Sequence, residues 1–398
     1  MPNPTDKHNC SCTRKLLGIL FSLVFTVILI ELFSFLATRA KLLTFNETPW
    51  YTMHRHLGMN WRTDDQSWGA WHAAQAKDRH VTDCYDVTYQ SNNVGARDTR
   101  DYDDSLAADS MVLIGDSFAE GYGVNIEQTF AKLVERQTGR TVMNFGSAGH
   151  MGPVQQDLIY RELASRFPHN ELIYMFLPAN DFTDNAPQSM GMFGGRYRPY
   201  YKKTDDGYTV VYPEGAVRGA PYPGSDRDNS PIKYFESFLA GYTYTFNTLK
   251  TLKYTVSNIG DEGLNDRYFT DDMDLVDGAL YFVNQLLSGA EHKKITVIVI
   301  PTVHDMANIS RGLDYHDKHW YTGLKQIAGK HDARLVDLAM YIPQDDYEKY
   351  YLPCDGHWNP EGNAFAAKRF LMDPQHVMKN DRGANIRSQT MVQAPLNQ

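Results

Sequence analysis

Three side chains in this sequence have the types needed for acyl transfer, and they lie far apart along it. Ser117 sits in Gly115-Asp-Ser-Phe118, on a glycine-rich turn that follows four apolar residues, Met111 to Ile114. Asp355 and His357 stand two apart in Cys354-Asp-Gly-His-Trp358. That spacing lets the carboxylate approach Nδ1 of the imidazole while Nε2 faces outward, which fixes the tautomer and stabilises the imidazolium formed when the ring takes a proton. Each piece also has a plain structural reading, as a turn whose aspartate and serine satisfy backbone donors. Convergence favours the chemical one. Two more strand-like segments end in polar or glycine-rich turns, at Gly146-Ser-Ala-Gly149 and at Pro178-Ala-Asn-Asp181. They bring Gly149 and Asn180 to the sheet edge that carries Ser117.

The elements that must position these residues alternate as α/β folds require. Met111 to Ile114 suits a strand covered on both faces, and the sequence after it predicts a helix from about Asn125 with Phe130, Leu133 and Val134 on its apolar side. Strands follow at Thr141 to Phe145, Glu171 to Leu177, Lys294 to Pro301 and Arg334 to Leu338, with helices at Val154 to Phe167, Met273 to Leu287 and Tyr321 to Ala328, and a last helix holding Phe365 to Leu371. Residues 44–110, rich in Trp, Tyr, His and Asp, read as an elaboration packed on the main domain. Their aromatics could line a sugar site, but core packing is the commoner use. Residues 182–271 break the alternation with a hairpin from Arg196 to Tyr212, a Pro/Gly-rich stretch and an aromatic helix from Ile232 to about Leu252. An insertion of that length beside the site reads as a lid. The main domain is expected over 44–373, with a disordered polar tail over 374–398.

Composition limits the function classes. The chain has 398 residues, 42% of them hydrophobic, enough for a sizeable core. A net charge of −9 argues against nucleic acid as a partner, because phosphate binding needs clustered Lys and Arg. His304 follows a strand end, but no second His or Cys stands at ligand spacing from it, so no metal or other cofactor is expected. Near the N-terminus, Leu16 to Thr38 is apolar apart from Glu31 and long enough to span a bilayer, for which about 20 residues suffice. Ala37-Thr-Arg-Ala40 is a poor signal-cleavage site. The expectation is an uncleaved anchor over 16–38, a cytoplasmic tail over 1–15 and an extracytoplasmic catalytic domain, although Arg39 and Lys41 dilute the charge asymmetry that sets orientation. Outside the cytoplasm Cys84 and Cys354 could pair, the alternative being two separate buried thiols.

Four blocks in order, Gly115-Asp-Ser-Phe118, Asn144-Phe-Gly-Ser-Ala-Gly149, Ala179-Asn-Asp181 and Asp355-Gly-His357, resemble those of the SGNH, or GDSL-like, hydrolase superfamily over roughly Met111 to Leu371. The resemblance implies a flavodoxin-like three-layer α/β/α sandwich with a parallel sheet. It also implies Ser117 as nucleophile, His357 as base, Asp355 as its orienter, and an oxyanion hole made by the Ser117 amide, the Gly149 amide and the Asn180 side chain. Two departures stand out: Pro178 replaces the usual glycine of the third block, and one residue separates Asp355 from His357 where two are commoner. The shorter form is similar to that of the superfamily's membrane-linked polysaccharide O-acetyltransferases and their relatives, which directs the substrate expectation toward acylated carbohydrate. Hydrolase and acyltransferase share this machinery. A non-catalytic glycan-binding or assembly component of the same fold, and an α/β-hydrolase lipase suggested by Gly115-x-Ser117-x-Ala119, are the alternatives from other classes.

Overall fold

The computed structural model describes residues 5–40, 42, 61–82, 84–149, 151–187, 197–212, 231–257 and 273–372. The chain opens with helix α1 (Thr5–Arg39), followed by two antiparallel hairpins, β1 (Arg62–Asp65) with β2 (Gly69–His72) and β3 (Lys77–Val81) with β4 (Asp86–Gln90). Strand β5 (Met111–Ile114) leads into α2 (Ser117–Glu120) and α3 (Phe130–Thr138). The order then continues β6 (Val142–Asn144), α4 (Pro153–Glu162), β7 (Glu171–Phe176) and α5 (Pro178–Asp184). The hairpin β8 (Tyr200–Thr204) and β9 (Gly207–Val211) precedes α6 (Pro231–Tyr242) and α7 (Tyr244–Ser257). Helix α8 (Met273–Gly289), β10 (Lys294–Val299), α9 (Val303–Ser310), α10 (His319–Lys330), β11 (Arg334–Asp337) and α11 (Pro360–Leu371) complete it.

Five strands form one parallel sheet in the order β11-β10-β7-β5-β6. Numbered within the sheet this is 2-1-3-4-5 from the β6 edge, the flavodoxin-like arrangement. Helices α3 and α11 pack together on one face, and α4, α8 and α10 pack on the other, which completes a three-layer α/β/α sandwich. Strands β5 and β7 are buried throughout, as a sheet covered on both faces requires. The register pairs Met111 with Val142 and Glu171, and Ile114 with Tyr174. The ends of β6, β5 and β7 therefore lie side by side, and β5 and β7 flank the point where the strand order reverses, where such sheets bind ligands.

Local chemistry fixes the element ends. Thr129 caps α3 by accepting from Lys132 N and Gly139 ends it in the left-handed conformation. Asn359 accepts from Gly362 N at 3.0 Å ahead of Pro360 at the first position of α11.

Three sequence expectations need correction. The helix after β5 begins at Ser117 itself, because Asp116 caps it and Gly121, at φ 82°, stops it; Asn125 opens only a 3₁₀ turn, Ile126–Gln128. Residues 164–167 are not part of α4, which ends at Glu162 and passes into a 3₁₀ turn. The aromatic helix of the insertion is two helices, broken at Thr243, where the Glu31 carboxylate accepts from Tyr244 N at 2.7 Å and Thr245 N at 2.9 Å. The hairpin that turns at Asp205 to Gly207 is β8–β9; its expected start at Arg196, the Pro/Gly-rich stretch 213–230 and the tail 374–398 lie outside the described residues.

Among the described residues, most N-terminal aromatics are core material. Trp68 and Trp71 join the main core, while Trp61, Ala76, Val87 and Tyr89 form a smaller cluster between the two hairpins. Lys15–Arg39 of α1 is long and apolar enough to cross a membrane, with mean hydropathy 2.6, by length and composition.

Candidate active site

Ser117 is the first residue of α2. Asp116 accepts from Phe118 N at 3.0 Å, which turns the chain sharply out of β5 and leaves the serine half-buried at the strand's end. Its hydroxyl lies 2.7 Å from Nε2 of His357. Asp355 Oδ1 stands 3.4 Å from Nδ1 of the same ring and also accepts from the His357 backbone N–H at 3.0 Å. Serine, imidazole and carboxylate thus form one line, the first link a hydrogen bond and the second a looser approach.

The loop that carries the pair is built for this turn. Leu352 N donates to His357 O at 2.6 Å and Gly356 N donates to Leu352 O at 2.8 Å, while Tyr351 and Trp358 close the base as an antiparallel bridge. Gly356 has φ 79°, which a side chain would strain. Tyr351 O–H donates to Pro301 O at 2.8 Å, tying the loop to the end of β10. The imidazole lies between the rings of Phe118 and Tyr122, with centroids 4.9 and 4.7 Å away, so its plane is set by packing. A disulfide joins Cys354 to Cys84, with Cα atoms 6.0 Å apart, and anchors the residue before Asp355 to the N-terminal hairpins.

Gly149 lies on the loop after β6 with φ 111°. That loop passes so close to α2 that a Cβ at Gly146 would collide with the backbone of Ala119 and Glu120. Asn180 lies in the first turn of α5 next to buried Asp116, and its Oδ1 is buried without a hydrogen-bond partner among the described residues. Pro178 occupies the first position of α5, where its missing N–H costs nothing. Asp181 completes that turn by accepting from Leu177 N at 2.8 Å. The departure at Pro178 is therefore compatible with an ordered Asn180.

Two charged residues that sequence reasoning missed hold the nucleophile turn. Arg97, 1% exposed, donates from one guanidinium nitrogen to Glu120 O and Gly121 O and from another to Val124 O at 2.5 Å. Its guanidinium stacks 3.9 Å over the ring of Tyr89, whose hydroxyl accepts from Gly123 N at 2.7 Å. Glu120, fully buried, accepts from Ala148 N and stands 3.5 Å from Nε2 of His72. Ser147 Oγ lies 3.4 Å from that same nitrogen. Glu120 thereby links α2 to the loop bearing Gly149. No sequence signal marks either residue: a single Arg and a single Glu look like surface charges until the turn closes over them.

Electrostatically the floor of the site is acidic. Burial pushes the Asp116 carboxyl up to about 6, against the pull of the Phe118 N–H and His357, with Asp184 raising it and Asn180 lowering it. Burial also lifts Asp181 well above the usual carboxylate range, helped by the neighbouring charge of Asp116. His72 is pushed down by desolvation, against the pull of Glu120, and its Nδ1 donates to Gly95 O at 2.9 Å, since a carbonyl only accepts. His304 lies in the first turn of α9.

No protein-family model matches the chain, and no curated protein does. Several solved structures are similar to it. A lipolytic protein of the G-D-S-L family from Veillonella parvula has a TM-score of 0.35 at 12% identity, over 67% of this chain and 98% of that one. A lipase/acylhydrolase from Enterococcus faecalis has a TM-score of 0.36 at 10% identity, over 66% and 93%. A carbohydrate esterase family 2 enzyme with a carbohydrate-binding domain, from Corynascus thermopiles (Myceliophthora fergusii), has a TM-score of 0.33 at 12% identity, over 67% and 65%. These likenesses extend over 66–67% of the chain.

Proposed function

We propose that this chain is a membrane-anchored serine esterase of the SGNH type. The observation that carries the reading is the 2.7 Å contact between Ser117 Oγ and His357 Nε2, with Asp355 at the other ring nitrogen. Ser117 attacks the ester carbonyl carbon while His357 takes its proton, and Asp355 stabilises the resulting imidazolium. The oxyanion is held by the Ser117 and Gly149 amides and the Asn180 side chain. Collapse expels the alcohol with the proton from His357, and water, or a sugar hydroxyl if the enzyme transfers, resolves the acyl-Ser117 intermediate.

The substrate class is O-acylated, most simply O-acetylated, carbohydrate outside the cytoplasm. The Cys84–Cys354 disulfide supports that location, since such bonds persist in oxidising compartments. With the domain on the extracytoplasmic side, α1 is the anchor and its N-terminus is cytoplasmic. The test uses the full chain and Ser117→Ala. Wild type is expected to be labelled by a fluorophosphonate and to release acetate from acetylated oligosaccharide, and the variant to do neither. Labelling of the variant at the wild-type rate sinks the assignment. Supplying an acetyl donor with bare oligosaccharide separates hydrolysis from transfer.

A further inference from the structure

Glu31 is the only charged residue between Lys15 and Arg39, and its partners lie 213 and 214 residues along the chain. Its carboxylate accepts from Tyr244 N and Thr245 N, and from Thr245 Oγ1 at 2.6 Å, so it caps the N-terminus of α7. Phe35, one turn further along α1, meets the ring of Tyr244 edge-on at 5.3 Å. On the same stretch Ser34 and Ala37 are buried, and α7 packs against α1. Small residues at the contact let the two helices approach closely, as in membrane helix pairs. Glu31 lies eight residues before Arg39, about 12 Å along the helix axis. In a hydrocarbon core about 30 Å thick, its partners at the start of α7 are then below the headgroups.

The helices of the insertion suit that depth. Phe235, Phe238 and Tyr242 on α6 and Leu249 and Leu252 on α7 are between 45% and 61% exposed, whereas most apolar side chains of the sandwich are buried, Leu313, Met340, Tyr341 and Met372 being exposed exceptions. The polar groups at the break between the helices are satisfied internally, as lipid demands. Thr243 N and Oγ1 both donate to Leu239 O, and Asn247 Nδ2 donates to Ala240 O at 2.7 Å and Thr243 O at 2.9 Å. Lys250 and Lys253 have stems long enough to carry their charges to the phosphates.

We infer that α6 and α7 form a second membrane element, a helical hairpin lying in the leaflet on the Arg39 side, with its exposed apolar residues against acyl chains and its register fixed by Glu31. The inference rests on α1 being a membrane anchor. It gives the insertion a role: it holds the catalytic domain against the bilayer at a fixed orientation, where α1 alone would act as a tether.

Spin labels at cysteine test this in the full chain carrying Cys10→Ser and Cys12→Ser, reconstituted in phosphatidylcholine and phosphatidylglycerol vesicles. Labels at Phe238→Cys and Leu249→Cys are expected to relax with oxygen and resist a water-soluble nickel chelate, like a label at Ile28→Cys in α1. A label at Lys202→Cys on β8 should show the reverse. Nickel access at 238 and 249 equal to that at 202, with 28 still protected, overturns the hairpin and leaves the anchor standing. Labels at 238 and 249 closed to both reagents overturn it too, since protein would then cover them. Nickel access at 28 removes the anchor and the hairpin together.

Discussion

The two halves of the candidate triad are held by opposite means. Ser117 belongs to a short helix whose exit is clamped by a buried arginine and whose neighbouring loop is bonded to a buried glutamate, and the residues on either side of it, Asp116 and Phe118 to Glu120, are buried. Asp355 and His357 stand on a partly exposed loop far along the chain, kept in place by aromatic contacts, one short bridge and a disulfide. A nucleophile loses reactivity with small displacements, so it is placed on a turn held by buried charged groups on both sides. The base needs only to return to the same spot, and a covalent tether with two aromatic walls serves that purpose.

If the nucleophile side carries the electrostatic work, Asn180→Ala should show the largest effect on catalysis after Ser117→Ala. Turnover is expected to fall about 100- to 1000-fold, the usual cost of one oxyanion donor, with urea unfolding unchanged; an intact rate removes Asn180 from the hole. Arg97→Ala should be next, through stability. It takes a charged donor from three buried carbonyls, of which Glu120 O keeps Asn144 Nδ2 at 3.4 Å and Gly121 O keeps Val124 N at 3.3 Å, and is expected to cost about 3 kcal/mol in chemical denaturation. A loss below about 1 kcal/mol would mean that the clamp is dispensable and the contrast between the halves overstated. On the base side, Cys84→Ser with Cys354→Ser should lower turnover only about tenfold, because the loop keeps its bridge and aromatic walls while placement loosens. Fluorophosphonate labelling of Ser117 should persist at a reduced rate, and a fall as deep as that of Asn180→Ala would show that the tether sets the geometry.

The smallest effect concerns Asp116. Its folded value near 6 lies above the 3.8 of an ordinary aspartate, so between those values the folded state holds the proton that the unfolded chain has released. Stability therefore falls as pH rises through about 4 to 6 and stays lower above that window. Asp116→Asn keeps a capping oxygen for Phe118 N and should flatten this part of the profile in urea unfolding at pH 4.5 and 8. An unaltered profile would assign the dependence to other groups.

Much of this architecture was legible in the chain. Buried strands are apolar along most of their length, so Met111 to Ile114, Glu171 to Phe176 and Lys294 to Val299 are legible, and their short polar ends point to Ser117 and Asn180. The helix start at Ser117 did not, because its cap is an aspartate whose partner is two residues on, and such a turn has no periodicity to read. The break at Thr243 was equally hidden: its cause is Glu31, more than two hundred residues away.

The sequence by itself determined the α/β alternation, the residue types at the strand ends and the apolar segment before the domain, because these depend on local pattern and composition. Tertiary structure alone decided which turns share one site, that Arg97 and Glu120 are buried supports and not surface charges, and that the one acid in the apolar segment caps a helix of the insertion. Those facts depend on which distant groups meet once the sheet has ordered its strands, and a desolvated charge shows its role only through the partner it finds.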